Sequence, residues 1–411
     1  MTTENTTATI EEPARQIPVI EDVDVLVAGS GPAGIAAALA AARDGARTAL
    51  VERYGYLGGM ITGAYVVAII GCGDGRAPVV RGVTEEIRRR LEKLDAVKPI
   101  NKSGDYRVDA EIFKWQAVEM LTEAGVNIRL HTLACAPIVE AGRVAGIFVE
   151  SKSGRQAIRA TVTVDATADA DLAYRAGCDC DDEPHEVTLG IRIDGVDRER
   201  VDAFANESPE RYQAVIDEAM RRNGGVMPGR GRLLKGINVA DTEDLTRAEI
   251  QFRKECFDAL MCLKKNLPGY ETARVVETYP QIGVRQGRRI RGEYTLQNDD
   301  LKSSRQFENG IGRMGVYFPE WGPNYAIEGL DYDVPYGCLV PEKTDGLLVG
   351  GRCVSSDYTA CNTMRLIVPC FVTGQAAGCA AAIAVQNACA PRHISVGKLR
   401  RSLLNQDVHL G

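Results

Sequence analysis

The stretch Val23–Glu52, VDVLVAGSGPAGIAAALAAARDGARTALVE, decides the fold. Val23, Val25, Leu26 and Val27 make a short apolar run, the mark of a strand buried in a parallel sheet. Gly29-Ser30-Gly31-Pro32-Ala33-Gly34 follows, a G-x-G-x-x-G. Gly29 lets the chain turn tightly after the strand. Gly31 has no side chain to keep a pyrophosphate off the backbone, and Gly34 lets the next helix pack close to the sheet. The pattern predicts that helix over roughly Ala33 to Asp44, mostly alanine, which joins high helix propensity to a thin profile. Its first turn, with Pro32 and Ala33, offers free N–H groups and partial positive charge to a diphosphate, and Gly45 is the expected stop. Thr48–Val51 reads as a second strand ending at Glu52, where a ribose-binding acid is expected about twenty residues on. A lone G-x-G-x-x-G is a weak signal. Strand, glycines, helix, strand and acid in that order, within about thirty residues, point to a dinucleotide site.

Arg53-Tyr54-Gly55-Tyr56-Leu57-Gly58-Gly59-Met60 comes directly after the acid. NAD would require nothing special here. A second glycine turn suggests a cofactor that continues along the backbone, as FAD does toward its flavin, with Gly58 and Gly59 permitting close approach.

At 411 residues the chain suffices for one or two domains, and its 45% hydrophobic and 26% charged content is ordinary for a globular protein. A net charge of −7 gives no electrostatic case for nucleic acid. Twelve cysteines without a C-x-x-C pair, several in apolar or alanine-rich runs (Cys370, Cys379, Cys389), read as reduced, mostly buried thiols of a cytoplasmic protein. Residues 1–20 read as a disordered tail, with neither the basic nor the apolar region of a secretory signal. No stretch is expected to reach the apolar length of a membrane span, and no membrane partner is expected.

Downstream, Asp109–Ala124 predicts a helix capped by Asp109, with Ile112, Trp115, Val118 and Leu121 toward the core. Asn127–Ala134 reads as a third strand. Further strands with turns at Ala141-Gly142 and Lys152-Ser153-Gly154 predict a small inserted antiparallel sheet. Val162–Asp165 then returns to the main sheet, bringing Ala166 beside the nucleotide crevice. Cys178-x-Cys180, with Asp179, Asp181, Asp182 and His185, matches no standard zinc spacing, so an acidic surface loop is expected and no metal is assigned.

Residues 187–334 mix strand-like pieces with polar helices over Arg198–Arg222 and Thr246–Lys265, and read as an α+β substrate domain. Met227–Arg232 is a basic glycine loop outside any strand–helix junction, so it is no second dinucleotide fingerprint. Pro280–Tyr294 carries Arg285, Arg288, Arg289 and Arg291. Salt bridges are the reading for three of them, and Arg285 is the candidate to hold a substrate carboxylate or phosphate. From Pro335 the chain returns to the first domain with a strand at Leu347–Val349, Gly350-Gly351-Arg352, a polar loop Ser355–Thr363 and a long helix Arg365–Gln386, in which Pro369 is tolerable only near the start. That helix would aim its positive end at a flavin's N1/C2=O edge, where negative charge develops on reduction.

On GSGPAG, ERYGYLGGM, VDATADADLA, PQIGVRQGRRIRGEYTL and DGLLVGGRCVSSDYTACNTMRLIVPCFVTGQAAGCAAA, the chain resembles the FAD-dependent oxidoreductase family whose fold is related to glutathione reductase, close to fumarate-reductase-type flavoproteins. The resemblance runs from about Val23 to Val385. It implies an α/β fold: a glutathione-reductase-like FAD-binding Rossmann domain (21–186 and 335–411) with the inserted antiparallel sheet, and the substrate domain (187–334) between its two parts. It implies FAD as cofactor, with Glu52 on the adenosine ribose, Arg53, Gly58, Gly59 and Met60 along the diphosphate segment, and Ala134 at adenine. Gly351 and Arg352 would lie along the ribityl–phosphate portion, and the helix from about Val368 would face the flavin. Where many relatives resemble A-T-H-E-A, this chain has Ser356-Asp357-Tyr358-Thr359-Ala360, so no histidine mechanism carries over.

The expected activity is hydride transfer between flavin N5 and a small organic substrate. Tyr358 and Arg365 are the candidates for proton transfer, Arg285 the candidate substrate anchor, and Cys361 a nearby thiol. An oxygen-using monooxygenase or oxidase is the first alternative, and a flavin-binding electron-relay subunit the second. An external electron donor or acceptor and a homo-oligomer stay open as partners.

Overall fold

The computed structural model describes residues 9–183, 185–227, 232–319 and 328–411. A seven-stranded sheet forms its centre. β1 (Val19–Ala28) leads through the glycine turn into α1 (Pro32–Arg43), β2 (Thr48–Val51) and the short α2 (Met60–Gly63). Then come α3 (Ala110–Glu123), β3 (Asn127–Arg129), β4 (Leu133–Glu140), β5 (Arg143–Ser151) and β6 (Gly154–Asp165). The chain returns with β7 (Leu347–Val349), α4 (Tyr358–Met364) and α5 (Ile367–Gln386). β3, β2, β1, β6 and β7 lie in parallel, in register Ala49↔Asn127, Val25↔Thr48, Val23↔Ala160 and Leu347↔Thr163. β4 and β5 form an antiparallel ribbon on the first half of β6. The inserted antiparallel sheet is thus continuous with the parallel one, because one long strand serves both.

α1 and α5 pack face to face above this sheet. Gly374 and Gly378 of α5 meet Ala33 and Ala37 of α1, and a methyl at either glycine would overlap the facing carbonyl oxygen. The two helices therefore run parallel and at backbone contact. α5 is apolar on every side because it is covered on every side. In length and apolarity it does reach a membrane span, against the sequence expectation, but it lies wholly inside the core.

Other expectations also change. The tail is shorter than 1–20, because Val19 already pairs with Ala157. The third strand stops at Arg129: His131 turns at φ +52°, and its N–H donates to Tyr54 O. Ala134 therefore belongs to the following strand. α3 is capped by Asp109 as expected, but it buries Phe113, Ala117, Met120 and Leu121, while Trp115 is 52% exposed. The helix over 198–222 is two helices, Arg198–Glu207 and Pro209–Arg222, split at Ser208 by the proline. Part of the loop Ser355–Thr363 is helical as α4, with Asp357 accepting from the Ala360 N–H at its start. Cys178–His185 is not simply a surface loop: Cys178 is buried, and Cys180–Asp181 pairs with Arg289–Ile290. Of Met227–Arg232, residues 228–231 lie outside the described residues.

Between β6 and β7, the strands His185–Leu189, Arg232–Ile237 and Gly283–Val284 form a small antiparallel sheet. The helix Thr242–Asn266 packs Ala248 and Phe252 into a separate apolar cluster with Val187, Leu189 and Ile282.

Candidate active site

The site is built where β1, β2, β6 and β7 end and α1 and α5 begin. Gly29 turns at φ +96°, with no room for a methyl against Ala166 O, and Gly34 is held against the Gly29 carbonyl. Gly31 differs from both. Its φ is −65°, and the nearest atom to a methyl there would be Gly59 Cα at 3.9 Å. Gly59, at φ +52°, comes from the second glycine turn, and its own methyl would lie 2.7 Å from Gly31 Cα. Gly58 donates its N–H to Ser30 O (2.9 Å) and starts the turn into α2 at Met60. The two glycine turns thus face each other, with bare backbone on both sides.

Glu52 is buried beside them. Its Oε2 accepts from the Ser30 N–H (2.9 Å) and hydroxyl (2.6 Å), and its Oε1 from the Tyr54 N–H (3.0 Å). The acid therefore also pins the first glycine turn to the second, a task for Ser30 that the motif alone does not reveal. Arg53 is exposed, 4.8 Å above the Tyr54 ring, which stacks on Tyr56. Ala134 is half-buried opposite Val149, and Ala166 is buried against Gly29.

No side chain caps α1 or α5, so their first N–H groups have no partner from a cap. α5 starts well before Gly374, the residue that meets Ala33, so its first turn stands about 9 Å ahead of that of α1 at 1.5 Å rise per residue. Gly350 and Gly351 fill the wedge between the two helices, with the Gly351 N–H donating to Thr373 Oγ1 (3.0 Å). Gln281 packs on Gly63 at the end of α2, and its buried Oε1 has no hydrogen-bond partner among the described residues. Two uncapped, staggered helix starts and an open backbone at Gly31 fit an elongated dinucleotide such as FAD.

Arg352 is used inside the protein. Its guanidinium grips Asp169 at 2.8 and 2.9 Å and donates to Val284 O (3.1 Å). Asp165 anchors the crossover behind it, accepting from Thr167 N–H and Oγ1, Leu172 N–H and Ala173 N–H. Burial pushes its carboxyl upward against those four bonds. Neither Asp165 nor Asp169 stands out in the sequence as a structural anchor.

The four catalytic candidates gather near the start of α5 but in unequal settings. Arg365 directly precedes Leu366, the N-cap of α5, and Val368 is fully buried in its first turn. Arg285 is close enough to Arg365 for their charges to repel. Cys361 is fully buried in α4 with Sγ 3.8 Å from Arg352 O, and burial raises its thiol, so the thiolate is disfavoured. Tyr358 is 48% exposed on the first turn of α4, and its carbonyl accepts weakly from Gln286 Nε2 (3.4 Å). Arg288, Arg289 and Arg291 pair with Asp171, Glu183 and Asp181.

Among known proteins, the chain is 31% identical over 226 residues to a thiamine thiazole synthase of Aeropyrum pernix, covering 54% of this chain and 76% of that one. It is 32% identical over 165 residues to a digeranylgeranylglycerophospholipid reductase of Methanoculleus marisnigri, covering 38% of this chain and 41% of the reductase. A geranylgeranyl bacteriochlorophyll reductase-like protein of Thermoplasma acidophilum aligns at 15% identity with a TM-score of 0.44, over 95% of this chain and 84% of that chain. The pattern of the FAD dependent oxidoreductase family matches residues 24–403, so the chain belongs to that family and is an enzyme with FAD as its cofactor.

Proposed function

We propose that this enzyme moves a hydride between flavin N5 and a small organic substrate, dehydrogenating a C–H bond or reducing a C=C bond. One observation carries the reading: α5 begins uncapped about 9 Å beyond the start of α1, so its N–H groups and dipole meet negative charge at the far end of the trough. FAD bound there supplies a two-electron acceptor or donor whose reduced form is stabilised by positive potential. The chain's own residues hold and orient it. Gly31, Ala33 and Gly34 take the diphosphate at α1, Gly58, Gly59 and Met60 flank it, and Glu52 takes the ribose by exchanging a bond to Ser30. Ala134 borders the adenine end and Ala166 backs the glycine turn, Gly351 fits between the helices where a methyl would come within 3.1 Å of Ala33 Cβ, and Arg352 supports that wedge through Asp169. Near the reacting end, Arg365 and Arg285 together put positive charge beside the α5 N-terminus on the substrate's side, and the exposed Tyr358 would exchange a proton with solvent. The name of the reductase relatives favours the reductive direction.

The test is anaerobic. The purified enzyme is mixed with a panel of small metabolites, and loss of the oxidised-flavin absorbance is timed. At least one substrate should bleach the flavin, and Arg365→Ala and Tyr358→Phe should slow it at least tenfold. If both variants react at the wild-type rate, these residues do not serve the reaction. Oxygen uptake coupled to substrate hydroxylation or peroxide release would favour the oxygen-using alternative. Flavin that exchanges electrons only with a protein partner would favour the relay.

A further inference from the structure

Charge at the start of α5 is unbalanced. Arg365 is half-buried, donates one long hydrogen bond to Asn362 Oδ1 (3.3 Å), and lies 5.8 Å over the Phe318 ring. It makes no ion pair among the described residues. Its neighbours differ in this respect: Arg288, Arg289 and Arg352 each hold a carboxylate at 2.7 to 2.9 Å. Among the described residues, the charges that act most on Arg365 are those of Arg285, Arg352, Glu186 and the sulfur of Cys361. Arg352 is neutralised by Asp169, and Cys361 is held as a neutral thiol by burial. Among the described residues that leaves two guanidiniums and one acid, and Glu186 stands 3.7 Å from Arg285 rather than against Arg365. A half-buried guanidinium without a close counter-ion is destabilising. Burial, and then the Arg285 charge, press its pKa down to about 10. The uncapped start of the 20-residue α5 adds positive potential of the same sign beside it.

We propose that Arg365, backed by Arg285, is the docking point for an oxyanion carried by the substrate, a carboxylate or a phosphate group. The substrate of this enzyme is accordingly an anion, and its charged end sits beside the first turn of α5. A fork of N–H donors on Arg365 matches either oxyanion in two-point fashion, which a lysine does not. The inference takes its setting from the hydride-transfer reading, but it is tested by binding rather than turnover.

The FAD-loaded enzyme is titrated with malonate, with inorganic phosphate and with neutral malonamide, following the flavin absorption spectrum and the melting temperature. One of the two anions should give a saturable spectral change and a higher melting temperature, and malonamide neither. Malonate and phosphate separate the carboxylate from the phosphate source. Arg365→Met should weaken the anion at least tenfold, with Arg365→Lys in between and Arg285→Met weaker in effect than Arg365→Met. Circular dichroism melts confirm that each variant is folded, and Arg365→Lys, which keeps the charge, serves if Arg365→Met does not fold. Absence of saturable anion binding in the wild type overturns the proposal. So does anion binding undiminished in both Arg365 variants, or a flavin midpoint potential that falls in Arg365→Met while anion affinity is kept, which would give the arginine to the cofactor. Anion binding as expected without any substrate bleaching the flavin would sink the hydride-transfer reading and leave the docking point standing.

Discussion

Three glycines in one hexapeptide meet three environments, and a single methyl group tells them apart. At Gly34 it would overlap Gly29 O, and at Gly29 it would demand φ +96° against Ala166 O. At Gly31 it finds ordinary backbone angles and nothing closer than 3.9 Å. Gly34→Ala should therefore cost about 2–3 kcal/mol of stability in urea melts of the FAD-free protein. Gly31→Ala should leave those melts nearly unchanged yet weaken FAD at least tenfold, about 1.4 kcal/mol, by fluorescence titration. Wild-type FAD affinity in Gly31→Ala would mean that the diphosphate does not pass over that backbone. Gly34 and Gly29 are legible in the sequence because one packs on the other within a single strand–turn–helix unit and the turn itself needs the positive φ, whereas the contacts with Ala166 and Gly59 come from elsewhere in the chain. Arg365 is the opposite case. That it has no counter-ion among the described residues depends on Glu186 and Arg285, far away in the chain, and no local pattern reports it. The sign of its effect on stability follows from its depressed pKa. The unfolded chain holds that proton more tightly than the folded one, so the wild type is destabilised at every pH below about 10 and recovers as pH rises above it. Arg365→Met should raise the melting temperature at pH 7 by roughly 2 °C or more, with the gain shrinking at pH above about 10. A lower melting temperature at pH 7 would mean that the guanidinium is already compensated without ligand.

At the scale of elements, α1 and α5 are matched to each other more closely than to the sheet. Alanine on one helix and glycine on the other bring the backbones into contact, and this contact fixes the stagger of the two helix starts. Gly374→Ala and Gly378→Ala should each cost about 1–3 kcal/mol by overpacking, and both should lower FAD retention on gel filtration, since α1 must retreat from Gly350 and Gly351. Full retention by a destabilised Gly374→Ala would show that the stagger does not position the cofactor. The Ala- and Gly-rich sequence of α5 announces a buried helix, and Pro369 places its start within a turn. Trp115 looks like core by helical spacing, yet α3 turns Phe113, Ala117 and Met120 inward, because the facing surface, not the periodicity, selects the side. α4 reads as loop, since Tyr358–Met364 is polar and short, and its helix depends on the Asp357 cap and on contacts made after folding.

For the whole molecule, the proposed site would have one cofactor bridge the two ends of the chain. α1 comes from the first fifty residues and α5 from the last fifty, and between them the chain makes a long excursion through the helix Thr242–Asn266 and its own apolar cluster. FAD bound at both helix starts should therefore stabilise the first and last segments as a unit, while the excursion answers only through the global equilibrium. A ligand held at a hundred times its dissociation constant adds about 2.7 kcal/mol to the folded state. Hydrogen exchange measured with and without FAD separates the local effect from the global one. Amides of Gly29–Gly34, Gly58–Gly63 and Leu366–Cys370 should gain protection together on adding FAD, under conditions where global opening is negligible. Those of Thr242–Asn266 should gain none under the same conditions. Protection confined to the α1 turn would mean that only a nucleotide half occupies the trough, and the 9 Å stagger of the helices would then serve packing alone.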